Sequence, residues 1–199
     1  MDKLKYEREL TADGFKNVCG VDEVGRGPLA GPVVCAAVIM PHNDIIDGVD
    51  DSKKLTHKKR AYLAELIKEK AIAYAICCVE PQIIDEINIL EATRLCMKNA
   101  IESLEIRPDF VLVDGNMKLD IEIGQKSIIK GDFYSYSIGA ASIIAKEYRD
   151  ALMDEYAVKY PDYAFEENKG YGTKKHIEGI IRAGICPIHR KSFTKKWQS

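Results

Sequence analysis

The stretch VCGVDEVGRGPLAGPVVCAAVIM, residues 18–40, decides the fold of this chain. Its two ends, residues 18–21 and 33–40, are valine-rich apolar runs of a length typical of buried strands. The glycines and prolines between them predict a turn that joins the two strands. Two acidic residues, Asp22 and Glu23, come where the first strand is expected to end. The stretch therefore predicts a strand pair with carboxylates beside the connecting turn.

Beyond this stretch, strands and helices alternate. Apolar runs predict strands at residues 71–79, 110–113 and 127–129, and helical spacing predicts helices at residues 56–71, 83–104 (one or two helices), 135–160 and about 173–182. Strands gathered early and followed by such alternation are typical of an α/β sandwich, with a mixed central β-sheet flanked by helices. In such folds the chemistry usually lies in loops at the carboxyl ends of strands.

The composition excludes several classes of protein. Hydrophobic residues make up 46% of the chain and charged residues 30%, which is ordinary for a folded protein and excludes a disordered or fibrous one. The longest apolar stretch, residues 28–40, is interrupted by prolines and a glycine and is too short to span a bilayer. The charged N-terminus lacks the apolar core of a signal peptide. We therefore expect a cytoplasmic protein that does not enter a membrane.

The spacing of the cysteines does not favour disulfide bonds or a zinc site. None of the six forms a Cys-x-x-Cys pair, and most lie in apolar runs. This pattern favours small buried thiols in a reducing compartment, while a zinc site or a disulfide framework is the alternative.

Charge is distributed unevenly although the formal net charge is only −2. Residues 169–199 contain eight Lys or Arg and one acidic residue, a balance of +7, which leaves 21 basic and 30 acidic residues, or −9, in residues 1–168. A basic end beside an acidic body suits an anionic polymer held near a carboxylate cluster, and a solvated charged face is the alternative. We expect one domain over residues 1–199, with a catalytic core at about 15–160 and a small C-terminal helical part at about 161–199 that contributes to substrate binding.

Acidic residues recur where apolar runs end. Asp22 and Glu23 follow the first run, Asp114 follows FVLV, and Asp132 follows IIKG. Carboxylates brought together at sheet ends repel one another, and a divalent cation with a preference for oxygen, Mg²⁺ or Mn²⁺, relieves that repulsion. A single acidic residue at a strand end is more often a turn former or helix cap. Three sites of the same form favour the metal.

Glycines flank the first acidic pair. Neighbouring residues of a strand point to opposite faces, so Asp22 and Glu23 are expected to share a metal only if the backbone bends there. Gly25 and Gly27, on either side of Arg26, allow such a bend and a close approach to a ligand. A glycine-rich phosphate loop is the alternative, but the stretch lacks the Gly-Lys-Ser/Thr ending and the Rossmann spacing.

These residues resemble those of ribonuclease HII, the type 2 ribonuclease H family. The resemblance rests on seven ordered segments that span nearly the whole chain: DEVGRGPLAGPVV (22–34), DSKKL (51–55), VDGN (113–116), KGD (130–132), ASIIAKEYRD (141–150), NKGYGT (168–173) and HRKSF (189–193). Two departures, Gly139 and Cys35 where the family often has alanine, are small residues that leave the expected site intact. Asp132 as the fourth acidic residue, and only about seventeen residues before the first strand, favour type 2 over type 3.

The resemblance implies a ribonuclease H-like fold and a set of roles. Four acidic residues would carry catalysis and hold the metal: Asp22, Glu23, Asp114 and Asp132. The backbone of the GRG segment (Gly25, Arg26 and Gly27) and the side chain of Tyr171 would recognise the ribonucleotide and its junction with DNA. Lys53, Ser142 and Lys146 would contact phosphates.

The implied reaction is hydrolysis on the 5′ side of ribonucleotides in DNA duplexes, and of the RNA strand of RNA–DNA hybrids. Two Mg²⁺ or Mn²⁺ ions would serve it, leaving a 5′-phosphate and a 3′-hydroxyl. Nucleic acid is then the partner, a monomer is expected, and the biological roles are ribonucleotide excision repair and removal of primer RNA in DNA replication.

Other interpretations remain open from sequence alone. The chain could be a nucleic-acid-binding module without catalysis, or a metal-dependent nuclease of pure DNA. The Ser142 and Lys146 pair, four residues apart on a helix, could form a nucleophile–base dyad, although no oxyanion motif accompanies it. His176 and His189 are expected in packing or helix-end roles, with assistance to proton transfer as the alternative. Trp197 is expected to anchor the C-terminus, with stacking on nucleic acid as the alternative.

Overall fold

The computed structural model of the chain describes residues 2–49, 52 and 55–198. Its strands are β1 (Val18–Val24), β2 (Val33–Ile39), β3 (Ala73–Val79), β4 (Phe110–Asp114) and β5 (Gly124–Ile128). Its α-helices are α1 (Lys5–Ala12), α2 (His57–Lys70), α3 (Pro81–Glu102), α4 (Gly131–Tyr134), α5 (Tyr136–Lys159), α6 (Phe165–Asn168), α7 (Lys174–Ala183) and α8 (Lys191–Thr194).

The five strands form one mixed sheet in the order β3-β2-β1-β4-β5. The pairs β1–β2 and β2–β3 are antiparallel, whereas β1–β4 and β4–β5 are parallel. The predicted mixed central sheet flanked by helices is confirmed. Within the described ranges, no helix is both long and apolar enough to cross a membrane.

Several element bounds differ from those predicted. The strand expected at residues 127–129 is β5, which begins at Gly124, because its sequence GQKSI is mostly exposed and lacks an apolar run. The expected helix at residues 83–104 is α3, and Asn88, with a φ of 68°, breaks it into two helical parts. The first strand continues beyond its expected end at residue 21, through both acidic residues, to Val24, and the glycine-rich connection to β2 follows from Gly25.

Helices cover both faces of the sheet. On one face α3 buries its apolar side chains against alternate residues of β1, β2 and β4 in the main core cluster. On the other face α5 and α2 pack against the intervening residues of β2, Ala36 and Val38. The strand β1 thus lies between helices on both faces of the sheet. The residues at its carboxyl end are therefore held in place by the packed core.

Helix α5 approaches the sheet closely at Gly20 of β1. A side chain here would meet the backbone of Ser137 and Ile138 at the start of α5, which leaves no room for even a methyl group. Gly20 therefore sets the distance between the central strand and the long helix that faces it.

The C-terminal residues form a separate apolar cluster around α6 and α7. Buried Phe165 and Ile180 pack there against Leu29 and Ala30 of the β1–β2 connection and Met153 of α5. Trp197 is partly buried in the same cluster, in line with the expected anchoring role. The connection that follows β1 therefore leans on the C-terminal segment.

Replacing Gly20 by alanine should destabilise the fold, because the added methyl group meets backbone atoms that cannot rotate away. We expect Gly20→Ala to lower the free energy of unfolding by about 3 kcal/mol, measured by urea unfolding at neutral pH. Gly14→Ala is the matched control: a side chain there meets nothing within 4 Å, and only its φ of 97° opposes it. The control should cost about 1 kcal/mol. Equal losses in the two variants would contradict the close approach.

Candidate metal centre

The register between two parallel strands brings two carboxylates together. The last pair of β1 and β4 is Val21 with Val113. The next residues along the strands, Asp22 and Asp114, therefore lie side by side and point to the same face of the sheet, the face covered by α5. Asp22 and Asp114 are far apart in the sequence, so the fold alone brings them together.

Glu23 joins this pair from the opposite face of β1. The strand β4 ends at Asp114, one position before it would lie beside Glu23. The Glu23 side chain can therefore reach over the end of β4, and ligand atoms of Asp22, Glu23 and Asp114 lie within 4.8 Å of one another. The backbone bend expected between Asp22 and Glu23 does not interrupt the register with β2, which continues to Val24.

Crowding and burial raise the pKa of two carboxyl groups in this cluster, those of Asp22 and Glu23. The pKa of Asp22 lies well above its ordinary value because the group is buried and because Glu23 and Asp114 are negatively charged. Burial raises the pKa of Glu23 to about 7, although the positive charge of Arg26, whose Nη1 lies 3.5 Å from Glu23 Oε1, opposes the shift. The three groups thus repel additional negative charge and attract positive charge.

The donor set fits a divalent cation. The Glu23 Oε2 atom is buried and, among the described residues, has no hydrogen-bond partner. Such an atom costs free energy unless it binds a proton or a cation. Carboxylate oxygens are the ligands that Mg²⁺ and Mn²⁺ prefer. Asp22, Glu23 and Asp114 are therefore the residues best placed to hold a metal ion.

The fourth predicted acidic residue, Asp132, lies beside the cluster in the first turn of α4. Its N–H donates to Asp114 Oδ1 at 3.3 Å, and the N–H of Gly131 donates to the same oxygen at 2.6 Å. The carboxylate of Asp132 does not belong to the group that lies within 4.8 Å. The helix α4 thus orients Asp114 and brings Asp132 to the rim of the site.

Ser142 lies inside the site, in contact with an acidic residue. It is buried on α5, and its hydroxyl forms a hydrogen bond with Asp22 that lowers the pKa of that carboxyl. The Ser142 Oγ atom also lies 2.9 Å from Ser52 Oγ. Since a hydroxyl has one proton, Ser52 donates to Ser142 when Ser142 donates to Asp22. In this structure Ser142 orients the carboxylate of Asp22. This role is additional to the predicted contact of Ser142 with a phosphate.

Lys146 is held one turn further along α5. Its Nζ donates to Asp150 Oδ1 at 2.6 Å, and the other oxygen of Asp150 accepts from Arg60 Nη2 at 2.9 Å. This buried network fixes the ammonium group close to the site. Lys53, the other predicted phosphate contact of the DSKKL segment, falls outside the described residues.

The GRG segment and Tyr171 lie next to each other. A side chain at Gly27 would come within 3.7 Å of Tyr171 Cε1, so the tyrosine ring lies against the backbone of this glycine. Tyr171 is 45% exposed, which leaves its ring open to a ligand. The structure thus brings together two segments, 25–27 and 168–173, that the resemblance pairs in ribonucleotide recognition.

Two histidines anchor the turn that carries Tyr171. The Cys186 N–H donates to His189 Nδ1 at 2.9 Å, so the proton of this neutral ring is on Nε2, 2.9 Å from His176 Nε2. His176 Nδ1–H in turn donates to the carbonyl of Tyr171 at 2.8 Å. Burial lowers the pKa of both rings, that of His189 to about 4. The packing role expected for the pair includes this support of Tyr171.

Sequence reasoning missed two arginines of the site, Arg149 and Arg190. Both are fully buried, and both donate hydrogen bonds to backbone carbonyls of the β1–β2 connection. The sequence did contain a sign of the first: Arg149 is seven residues after Ser142, which puts both on one face of α5. Both arginines also lie within segments that carry the family resemblance.

Carboxylates gathered at the carboxyl ends of the central strands of a mixed sheet define a class of site, that of the metal-dependent phosphoryl-transfer enzymes. The family model for Ribonuclease HII matches residues 19–196 of this chain. A ribonuclease HII of Caldicellulosiruptor saccharolyticus is 56% identical over 192 residues, which cover 96% of this chain and 94% of that relative. The chain belongs to the ribonuclease HII family.

Solved structures agree with this assignment. The ribonuclease H2 from Pyrococcus horikoshii OT3 is 29% identical and has a TM-score of 0.77, over 92% of this chain and 97% of that one. A chain in the PCNA:RNase HII complex from Archaeoglobus fulgidus is 25% identical, with a TM-score of 0.73 and the same coverage of both chains. The ribonuclease H-like fold and the enzyme class predicted from the sequence are confirmed. The protein is a ribonuclease H, an endonuclease that acts on RNA in RNA–DNA hybrids, and its family uses divalent metal ions.

Without divalent ions, the carboxylate cluster should make stability fall as pH rises. The folded protein keeps a proton on Glu23 up to about pH 7, whereas a glutamate in the unfolded chain loses it near its ordinary pKa of 4.5. Between these values the folded state binds more protons, so the free energy of unfolding decreases with increasing pH. In EDTA, Glu23→Gln should remove about 1–3 kcal/mol of this decrease between pH 4.5 and 7, measured by urea unfolding at each pH.

Glu122→Gln is the control for that measurement. Glu122 is exposed at the far end of the sheet, so its replacement should leave the wild-type slope unchanged. An identical slope in wild type and Glu23→Gln would mean that the cluster does not hold the proton.

Proposed function

We propose that this protein cuts the phosphodiester on the 5′ side of ribonucleotides embedded in DNA duplexes, as well as the RNA strand of hybrids. The proposed products are a 5′-phosphate and a 3′-hydroxyl. The observation that carries the proposal is the convergence of Asp22, Glu23 and Asp114 within 4.8 Å, next to the pairing of Gly27 with Tyr171. Reaction chemistry and ribonucleotide recognition would then occur in one place.

The four acidic residues, Asp22, Glu23, Asp114 and Asp132, are proposed to hold two divalent ions, Mg²⁺ or Mn²⁺. Bound there, such ions supply Lewis-acid activation of the attacking water and neutralise the charge that develops on the leaving 3′ oxygen. The protein's own contribution is to orient the carboxylate groups. The Ser142 hydroxyl and the N–H groups of α4 fix Asp22 and Asp114 through hydrogen bonds, and Arg26 pairs with Glu23.

Recognition of the ribonucleotide is proposed to use the backbone of Gly25, Arg26 and Gly27 together with Tyr171. A 2′-hydroxyl both donates and accepts hydrogen bonds, and it distinguishes RNA from DNA at a single nucleotide. A half-exposed tyrosine ring can stack on the sugar or base beside it.

Phosphate contacts are proposed for Lys146, Ser142 and Lys53. The ammonium of Lys146 is already paired with Asp150, which supports a fixed position. We also propose that residues 1–199 act as one domain in which about 161–199 contributes to substrate binding. Their buried packing against the β1–β2 connection supports this arrangement.

The cellular setting completes the proposal. All six cysteines are free thiols, which supports a reducing, cytoplasmic location. The protein is proposed to act as a monomer. The biological roles that fit this reaction are removal of misincorporated ribonucleotides and of primer RNA.

A comparison of two duplexes tests the reaction. With Mg²⁺ or Mn²⁺, the wild-type protein should nick a DNA duplex that contains one ribonucleotide, on its 5′ side, and leave the same all-DNA duplex intact. Asp22→Asn should reduce the rate on the order of 1,000-fold or more, because it removes a carboxylate ligand from the crowded site. Gel analysis of end-labelled strands measures the rate and the position of the cut.

Asp120→Asn is the matched control, since Asp120 is fully exposed and outside the cluster. It should cut at the wild-type rate. Circular dichroism should show that Asp22→Asn remains folded, because loss of one crowded charge relieves repulsion. Turnover by Asp22→Asn at saturating metal would remove this residue from the mechanism, and cleavage of the all-DNA duplex would refute the proposed specificity.

Tyr171 should matter most when a single ribonucleotide is the only feature to recognise. Tyr171→Ala is expected to lower kcat/KM about 10-fold or more on a duplex with one ribonucleotide, and less on a long RNA–DNA hybrid. Tyr171→Phe, which keeps the ring, separates stacking from the contribution of the hydroxyl. A loss of equal size on both substrates would indicate that Tyr171 only supports its loop.

A further inference from the structure

Two buried arginines are bound to the backbone around the GRG segment. Arg190 donates to the carbonyls of Gly25 at 2.5 Å, Arg26 at 2.9 Å and Gly31 at 2.8 and 3.0 Å. It comes from the N-terminal side of α8, more than 150 residues further along the chain. Its guanidinium therefore ties the C-terminal segment to the turn after β1.

Arg149 of α5 holds the other side of the same connection. Its guanidinium donates to the carbonyls of Ala30 at 3.1 Å, Pro32 at 3.1 Å and Lys169 at 2.9 Å. A side chain at Gly25 would overlap this guanidinium, and Gly25 has a φ of 91°. The turn thus has the shape that Arg149 and Arg190 together impose.

Both charges are buried among carbonyl oxygens. Within the described part of the chain, neither guanidinium forms an ion pair with a carboxylate. A buried cation without a counter-ion costs free energy unless its donors find acceptors, and here backbone carbonyls accept four hydrogen bonds from Arg190 and three from Arg149. Two such buried arginines around one turn indicate that the turn must keep one particular shape for a reason other than stability.

The geometry of the peptide unit shows what this shape does to the N–H groups of the turn. In a trans peptide the C=O and the next N–H point in opposite directions. Because the carbonyls of Gly25 and Arg26 point inward at Arg190, the N–H groups of Arg26 and Gly27 point away from it. Over residues 2–49, 52 and 55–198, neither N–H donates a hydrogen bond. These two donors lie where Tyr171 contacts Gly27.

We propose that Arg190, assisted by Arg149, is a positioning residue that sets the preference for ribonucleotides. It fixes the carbonyls of the turn inward, and it thereby holds the N–H groups of Arg26 and Gly27 outward, ready to bind the 2′-hydroxyl. The inference rests on the proposed recognition by the GRG backbone. It adds that the selectivity is encoded at a buried position remote from the substrate.

Lysine cannot replace arginine in this role. An ammonium keeps the positive charge but lacks the planar fork that binds carbonyls on three sides. Arg190→Lys therefore separates charge from geometry. Arg8→Lys is the matched control, because Arg8 lies exposed on α1 and pairs with Asp2 at the surface.

The test measures binding selectivity in the Asp22→Asn background with Mg²⁺, where cleavage does not interfere. Fluorescence anisotropy gives Kd for a DNA duplex with one ribonucleotide and for the same all-DNA duplex. Arg190→Lys should reduce the ratio of the two affinities by about tenfold, the effect expected for loss of aligned hydrogen bonds. Its affinity for the all-DNA duplex should stay within about twofold of the parent, because phosphate contacts provide that affinity. Arg149→Lys should reduce the ratio in the same direction, and Arg8→Lys should not change it.

The outcomes distinguish this inference from the proposed function. A parent protein that binds both duplexes equally would refute the proposed recognition itself. A parent with a clear preference that Arg190→Lys retains would overturn only the positioning role, and so would a variant that loses both affinities together.

If both arginine variants fail to fold, amide hydrogen exchange on the otherwise unmodified Asp22→Asn protein decides the matter. The N–H groups of Arg26 and Gly27 should exchange about tenfold more slowly with the ribonucleotide duplex than with the all-DNA duplex. Equal exchange with the two duplexes would refute the proposed recognition by the GRG backbone, and with it the positioning role that rests on that recognition.

Discussion

The parallel register between β1 and β4 is the constraint on which the rest of the site depends. It places Asp22 beside Asp114, and the early end of β4 lets Glu23 reach the same point. The carboxylates gain no stability from this arrangement, since burial and mutual repulsion raise the pKa of Asp22 and Glu23. The sheet, clamped between α3 and α5, provides the free energy that keeps these charges together.

Much of this arrangement could be predicted from residues 18–40 and the acidic positions that follow apolar runs. The strands, the mixed sheet and the acidic residues themselves are visible as patterns in the sequence. The sequence did not show how the side chains of Asp22 and Glu23 reach the same point. A bend of the backbone was expected there, but the strand continues. Alternation along a strand gives the face of a residue, but only the length of the neighbouring strand shows whether its side chain can reach round the edge.

The roles of Ser142, Arg149 and Arg190 depend on tertiary contacts that no local pattern contains. Ser142 was expected at a phosphate, and the structure has it on Asp22. Arg149 and Arg190 look like ordinary charged residues of helix and tail, yet both are buried. A buried charge in a sequence is recognisable only when its partners are known, and here those partners are backbone carbonyls, which the side-chain sequence does not reveal.

The hydrogen bonds from Cys186 through His189 and His176 to Tyr171 run in a single direction. Each ring must accept on one nitrogen and donate from the other, so the row exists only while both imidazoles are uncharged. A proton taken up by either ring would set two N–H groups against each other and loosen the turn that carries Tyr171. The turn that carries Tyr171 is therefore sensitive to acid through these two imidazoles, independently of the carboxylates of the proposed metal centre.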